Sequence, residues 1–392
     1  MFENSVAARI NSLNTESAFK ILAKANSLEA EGRHIIHCEI GQPDFRTPEH
    51  IAKAACDAIN NGITGYSPTP GYPKLRKAIA DFYVNNKHVN TNQDEVIVVP
   101  GGKPVMFYTM LMLVNPGEEV ILPDPGFPIY HSCIQFAGGV PVPIPLREEN
   151  SFRYDLDRLK AAITPKTKLI ILNSPSNPTG GVFDEEDLKE IAEILRDRPD
   201  IFILSDEIYD RLVYDSDIAP SIAAFPEFKD RTVILNGFSK AYSMTGWRLG
   251  YGIMNTELAQ KMELLMVNSN SCAASFTQMA AIEALSAPQD CVETMKDAFR
   301  ERRDWLVDAL NAIPGISCVK PKGAFYAFPN ISSFGLTSFD FCDRLLTEAG
   351  VAAAWGTSFG NCGEGYFRIS YATSLDNLKE AVWRIADFTS KL

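Results

Sequence analysis

The sequence carries no mark of a metal-built or disulfide-built module. Its eight cysteines (38, 56, 133, 272, 291, 318, 342 and 362) are scattered, with no Cys-x-x-Cys and no Cys/His ligand spacing. That argues against a structural zinc site and favours a reducing compartment over a disulfide framework. Long apolar runs are missing too. The longest mostly apolar stretch, 105–114, falls far short of the roughly 20 residues a membrane span needs, so no membrane segment is expected. The opening MFENSVAARI has no basic segment followed by an apolar one, so no secretory leader is expected and a cytoplasmic location is. Positive charge is in deficit: 37 Lys plus Arg face 49 Asp plus Glu, for a net charge of −12. Nucleic-acid binding, which needs a basic face, is not expected. A small substrate is not excluded, because one arginine in a cleft can outweigh the global charge locally. Repeats, low-complexity segments and flexible linkers are also lacking.

What is present is an ordinary globular composition, 46% hydrophobic and 22% charged, over 392 residues. That length makes two domains the natural reading. Short runs rich in Val, Ile and Leu, without alternation, lie at 96–99, 120–122, 169–172, 202–204, 232–235 and 249–253. They suit strands buried on both faces. Amphipathic stretches separate them, as at 184–195, where Leu188, Ile191, Ala192 and Leu195 fall at helical spacing behind the capping residue Asp184. Alternating strand and helix predicts an α/β sheet with helices on both sides. After about Ala287 a long charged helix (291–311), short strands (324–328, 366–370) and a final helix predict a second, smaller α+β domain. The break at Gly41-Gln42-Pro43-Asp44 assigns the first residues to it as well. The division expected is 46–287 for the large domain, with 1–45 and 288–392 for the small one.

Several polar residues fall just past predicted strands, where open α/β sheets bind ligands. Lys240 closes Asn236-Gly237-Phe238-Ser239-Lys240, and a partly desolvated lysine loses its proton readily and can form a Schiff base. Taken alone it also reads as a surface loop lysine. Arg248, beside Gly246 and Gly250, can grip a phosphate. Asp206 leaves the 202–204 run. It can pair with a pyridinium nitrogen or simply cap a helix. Tyr209 can donate to a phenolate oxygen. Asn177, in Asn173-Ser174-Pro175-Ser176-Asn177-Pro178-Thr179-Gly180, presents an amide from a proline-stiffened turn, or is a plain turn residue. Gly101-Gly102-Lys103 opens an apolar helix, a place for phosphate at a helix N-terminus. Arg368 lies inside an apolar strand pattern, so it must be paired or functional.

In this order and combination the motifs resemble the fold-type I aminotransferases that depend on pyridoxal 5′-phosphate (PLP), the class I/II group, and most closely its bacterial-type aspartate/aromatic branch. The resemblance runs from Gly41-Gln42-Pro43-Asp44-Phe45 to Arg368, and the Asn-Pro-Thr-Gly, Ser-Asp-Glu-Ile-Tyr and Ser-Lys…Gly-Trp-Arg-Leu-Gly-Tyr motifs carry most of it. It implies a large domain with a mostly parallel seven-stranded sheet plus the smaller domain. It also implies PLP joined to Lys240 beside Ser239, with Asp206 on the ring nitrogen and Tyr209 and Asn177 on the phenolate oxygen. Phe127 would stack on the ring, while Arg248 and the amides around Gly102 and Lys103 would hold the phosphate. Tyr66 would reach the neighbouring subunit's phosphate, making the active unit a homodimer with shared sites. Arg368 and the Gly41 backbone would bind a substrate carboxylate, with Asn177 also in the substrate site. The reaction implied is ping-pong transfer of an amino group from an amino acid to a 2-oxo acid.

Some positions depart from the branch. Phe127 stands where aspartate-specific relatives often have tryptophan. Ser17-Ala18-Phe19 replaces a Ser-x-Thr that faces a distal carboxylate. Pro104 follows Lys103, Trp355 replaces a common proline, and Gly237 replaces a phosphate-binding serine. The pocket changes predict a neutral, aromatic or broad donor range rather than strict aspartate. Arg46 reads as a loop arginine, or as a reader of acidic side chains. A PLP-dependent lyase, cyclase or oxidase on the same fold is the alternative reaction. A non-catalytic effector domain finds no DNA-binding segment or basic patch to go with it.

Overall fold

The computed structural model describes residues 6–13 and 15–392. The first five residues, part of the stretch read for a leader, lie outside the described residues. Twelve strands follow in chain order among them. They are β1 (Ile36–His37), β2 (Val96–Val99), β3 (Glu119–Asp124), β4 (Val140–Pro145), β5 (Thr167–Asn173), β6 (Phe202–Asp206), β7 (Thr232–Gly237), β8 (Gly250–Ile253), β9 (Tyr326–Ala327), β10 (Val351–Ala352), β11 (Ala354–Trp355) and β12 (Phe367–Ser370).

Seven strands form one sheet in the order β2-β8-β7-β6-β5-β3-β4. All neighbours are parallel except β8, which is antiparallel to both β2 and β7. All six apolar runs of the sequence became strands here, and β2, β7 and β8 are buried along their whole length. The seventh, β4, has the sequence VPVPIP, and its prolines hid it. Proline cannot donate to a ladder, but β4 is an edge strand that pairs only with β3. Alternate N–H groups of an edge strand point away from the sheet, so prolines at every second position break no bond.

Helices pack on the sheet as the periodicity predicts. Glu185–Leu195 is closed by a capping box between Asp184 and Asp187, and Leu188, Ile191, Ala192 and Leu195 are buried. Lys103–Leu113 follows β2 directly. Pro104 sits in its first turn, where the missing N–H would have had no partner. Toward the C-terminus, β11, β12 and β9 make a three-stranded antiparallel sheet, and β1 pairs in parallel with β10. The 22-residue helix Asp290–Asn311 buries Phe299, Leu306 and Leu310 against Phe325, Phe341, Phe367 and Ile369. Ile36 and Cys38 join this cluster. Each fully buried side chain of that size contributes roughly 1.5–3 kcal/mol.

Because β8 runs against its neighbours, its start lies at the edge where β2, β7, β6, β5 and β3 end. Gly250 is opposite both Val99 and Gly237. A Cβ on Gly250 would come within 2.7 Å of the Gly102 nitrogen, and one on Gly237 within 3.0 Å of Gly250 Cα. Gly237, which stands where the branch has a serine, lies at this tight crossing. Behind the edge lies a buried polar cluster that the sequence did not announce. Lys87, at the end of helix Pro73–Lys87, pairs with Glu207 and Asp210. Tyr83, Ser205 and Ser221 donate to Glu207, and Asn236 donates to Asp210. It ties the ends of β6 and β7 to that helix.

Candidate active site

A cleft of about 550 Å³ opens at this edge. Gly41, Gly102, Lys103, Phe127, Asn177, Asp206, Tyr209, Ser239, Lys240, Arg248 and Arg368, drawn from distant parts of the chain, all line it. Of the residues that the resemblance assigns to the cofactor or the substrate, Tyr66 alone does not; it is 91% exposed. Arg46 is exposed and does not line the cleft either, and Trp355 packs edge-on against Phe339.

The Lys240 ammonium donates to the Gly41 carbonyl at 2.5 Å. Gly41 is required there: a Cβ would sit 2.0 Å from the Tyr326 hydroxyl. Burial, and after it the Arg368 guanidinium, pulls the Lys240 pKa down to about 8, with Glu16 opposing the shift. Asp206 is buried at the end of β6 and accepts from the Tyr130 hydroxyl at 2.6 Å and the Ile208 N–H at 3.3 Å. Burial pushes its pKa up to about 6, against those hydrogen bonds. Tyr209 shares a 2.7 Å hydroxyl contact with Tyr326, and burial raises it well above the usual phenol range, so it keeps its proton.

Two arginines in the cleft lack acidic partners among the described residues. Arg248 donates to the Thr245 carbonyl at 2.8 Å, and no carboxylate among the described residues pairs with it. Gly101, at φ +80, lets its guanidinium approach, since a Cβ would fall 2.2 Å from Nη2. Arg368 is buried. It donates to Asn177 Oδ1 at 2.9 Å and to the Glu39 carbonyl, and its buried Nε has no partner among the described residues. The internal salt bridge that the sequence left open does not form among the described residues; the Tyr326 ring lies 4.4 Å away instead. In an arginine that lines the cleft, such an unfilled N–H leaves a donor open to a ligand acceptor.

These groups together suit a flat anionic aldehyde. An unpaired arginine beside a helix N-terminus suits phosphate, a buried carboxylate suits a ring nitrogen, and an amine of lowered pKa suits a carbonyl. The residues therefore fit PLP. Among the described residues no group of His, Cys, Asp or Glu is arranged to hold a metal ion, and all eight cysteines are free. No described helix is long and apolar enough to cross a membrane.

Sequence reasoning missed Tyr130, Tyr326, Asn173 and Glu16, which also line the cleft. Tyr130 and Tyr326 sit in apolar stretches and read as core. The only signal was a phenol that had to find a partner once buried. Asn173 accepts from the Asn177 N–H at 3.0 Å and shapes the turn from within.

Comparison with known proteins agrees with this geometry. The family model "Aminotransferase class I and II" matches residues 33–385. The aspartate aminotransferase of Bacillus sp. (strain YM-2) is 42% identical over 389 residues, covering 98% of each chain. The aspartate/prephenate aminotransferase of Nitrosomonas europaea is 40% identical, covering 98% of this chain and all of that one. The solved structure of the aspartate aminotransferase from Rhizobium meliloti superposes with a TM-score of 0.95 at 39% identity, covering 99% of each chain. A match of this extent places the reaction among amino-group transfers rather than the lyase, cyclase or oxidase alternatives. The chain belongs to the class I and II aminotransferases, enzymes that move amino groups between amino acids and 2-oxo acids.

Proposed function

We propose that this aminotransferase holds PLP between Lys240 and Arg248 and accepts neutral, aromatic or otherwise broad amino donors rather than aspartate alone. One observation carries the donor reading. Phe19 lines the cleft beside Ala18, Ile40 and Met106, yet stays 60% exposed, leaving apolar area for a substrate side chain. The second reading, a dicarboxylic donor, is favoured by Lys103 in the same wall and by the substrates named for the relatives.

When bound, PLP supplies the carbonyl that takes the amino group and a conjugated ring that accepts the electron pair left at the substrate α-carbon. The chain's own residues do the rest. Arg248 and the N–H groups around Gly102 and Lys103 hold the phosphate, and Asp206 holds the ring nitrogen. Tyr209 donates to the ring oxygen. Asn177, its carbonyl taken by Arg368, offers its amide NH₂ there. Phe127 and Ser239 complete the walls around the ring and phosphate. Arg368 and the Gly41 backbone orient the substrate carboxylate. Lys240, with its lowered pKa, takes the proton from the substrate α-carbon and returns one to the product. Both substrates occupy the same cleft in turn, so double-reciprocal plots run parallel. The exposed Tyr66 is assigned to a partner subunit's phosphate site in a homodimer. The division at 45/46 and 287/288 is kept, supported by the pairing of β1 with β10.

The test is spectroscopic. Alanine, aspartate, phenylalanine and arginine are added singly to holoenzyme without an acceptor, and bleaching of the visible cofactor band into the near-ultraviolet is timed. Neutral donors bleach it with the higher kcat/KM. Aspartate exceeding every neutral donor overturns the donor reading, and no bleaching with any donor overturns the transfer.

A further inference from the structure

Among the described residues, four cations line the cleft: Lys103, Lys240, Arg248 and Arg368. Three have assignments above. Lys103 is the remaining one, and its ammonium is already engaged by Glu16. Glu16 and Asp206 are the carboxylates of the lining, and Asp206 is committed to Tyr130 and the Ile208 N–H. The bridge joins residues 87 apart in the chain, so it straps the segment before helix Ser17–Ala30 to the start of helix Lys103–Leu113. Glu16 occupies the N-cap position of its own helix but makes no capping bond. Its carboxylate is turned to Lys103 instead. It is the more buried partner, 19% exposed against 52% for Lys103, whose ammonium lies 5.7 Å from the centre of the Phe127 ring.

We propose that Glu16 is a specificity-determining residue, a built-in stand-in for a substrate's side-chain carboxylate that occupies Lys103 and so disfavours dicarboxylic ligands. The proposal rests on the assignment of Arg368 to the substrate α-carboxylate. A ligand with a neutral side chain leaves the bridge closed. A dicarboxylate must displace Glu16 before its second carboxylate can reach Lys103. It then exchanges one ion pair for another and leaves the Glu16 charge without its cation. A half-exposed ion pair is worth at most about a fivefold change in an equilibrium constant, and that sets the size of the effect.

The test uses holoenzyme and two unreactive probes, succinate (two carboxylates) and 3-phenylpropanoate (one), titrated by calorimetry. The readout is the ratio of their dissociation constants. Glu16→Gln shifts the ratio about three- to fivefold toward succinate, and Glu16→Ala shifts it the same way. In a Lys103→Met background the Glu16→Gln change leaves the ratio where Lys103→Met alone put it, which isolates the pair. An unmoved or reversed ratio in both Glu16 variants overturns the proposal, as does an equal shift in the Lys103→Met background. The donor ranking is a separate outcome. If the parent prefers aspartate, the neutral-donor reading fails, while the variant-to-parent shift in probe ratio still decides the role of Glu16.

Discussion

Replacing Lys87 by methionine tests the buried cluster beneath the cleft. Lys87, Glu207 and Asp210 have side chains only 0%, 2% and 4% exposed, and one ammonium serves two carboxylates. Removing it leaves two buried negative charges with no cation. Breaking a buried ion pair this way costs about 3–5 kcal/mol. Glu207 keeps its hydroxyl donors Tyr83, Ser205 and Ser221, and Asp210 keeps Asn236, so the lower part of that range is expected, about 3 kcal/mol. Urea unfolding of Lys87→Met followed by tryptophan fluorescence measures it. The sign of the pH dependence is also set. Without Lys87 the stranded carboxylates take up protons more readily folded than unfolded. The stability gap to the parent therefore narrows as pH falls from 8 toward 5.5. Adding Glu207→Gln and Asp210→Asn removes the stranded charges and recovers much of the loss. Because Glu207 adjoins Asp206 and Asn236 lies on β7 just before Lys240, cofactor release should also quicken. A loss under about 1 kcal/mol, or a gap that widens in acid, would refute the reasoning.

Asp206→Asn keeps the shape of the site but removes its buried charge. The turnover number should fall about 10²–10³-fold without a lower melting temperature, and near-parental turnover would remove Asp206 from the chemistry. Lys240, held to a pKa of about 8 chiefly by burial, reacts as the neutral amine. The rate at which cofactor-free enzyme takes up PLP should rise about tenfold per pH unit and level off above about pH 8, whereas a flat profile would contradict the assignment. His37 lies between Glu29 and Glu39. Burial alone would lower its pKa, but the hydrogen bonds and charge of Glu39 and then Glu29 win and raise it. Its contribution to stability is therefore complete below the usual histidine pKa of about 6.5 and is lost as pH rises through the higher folded value. Melting temperature should drop less between pH 6 and 8.5 in His37→Gln than in the parent, and equal drops would count against the bridge.

Much of the sheet was legible because its strands are buried on both faces, and that condition is written locally as short runs of Val, Ile and Leu. The exception is instructive. β4 was hidden by Pro141, Pro143 and Pro145, and only its position at the sheet's edge makes those prolines harmless. The polar residues of the cleft were legible for a related reason: Asp206, Lys240 and Asn177 end or closely follow strands, and parallel strands bring such positions to one edge. What the sequence determined by itself was thus the set of groups that periodicity and strand ends deliver. Tertiary structure decided which of them meet. Tyr130 reaches Asp206 across 76 residues, Lys87 reaches Glu207 across 120, Arg368 reaches Asn177 across 191, and Glu16 reaches Lys103 across 87. No local pattern encodes such a contact. A hydrogen bond or ion pair between distant segments depends on how whole elements pack, and local propensities leave that undetermined.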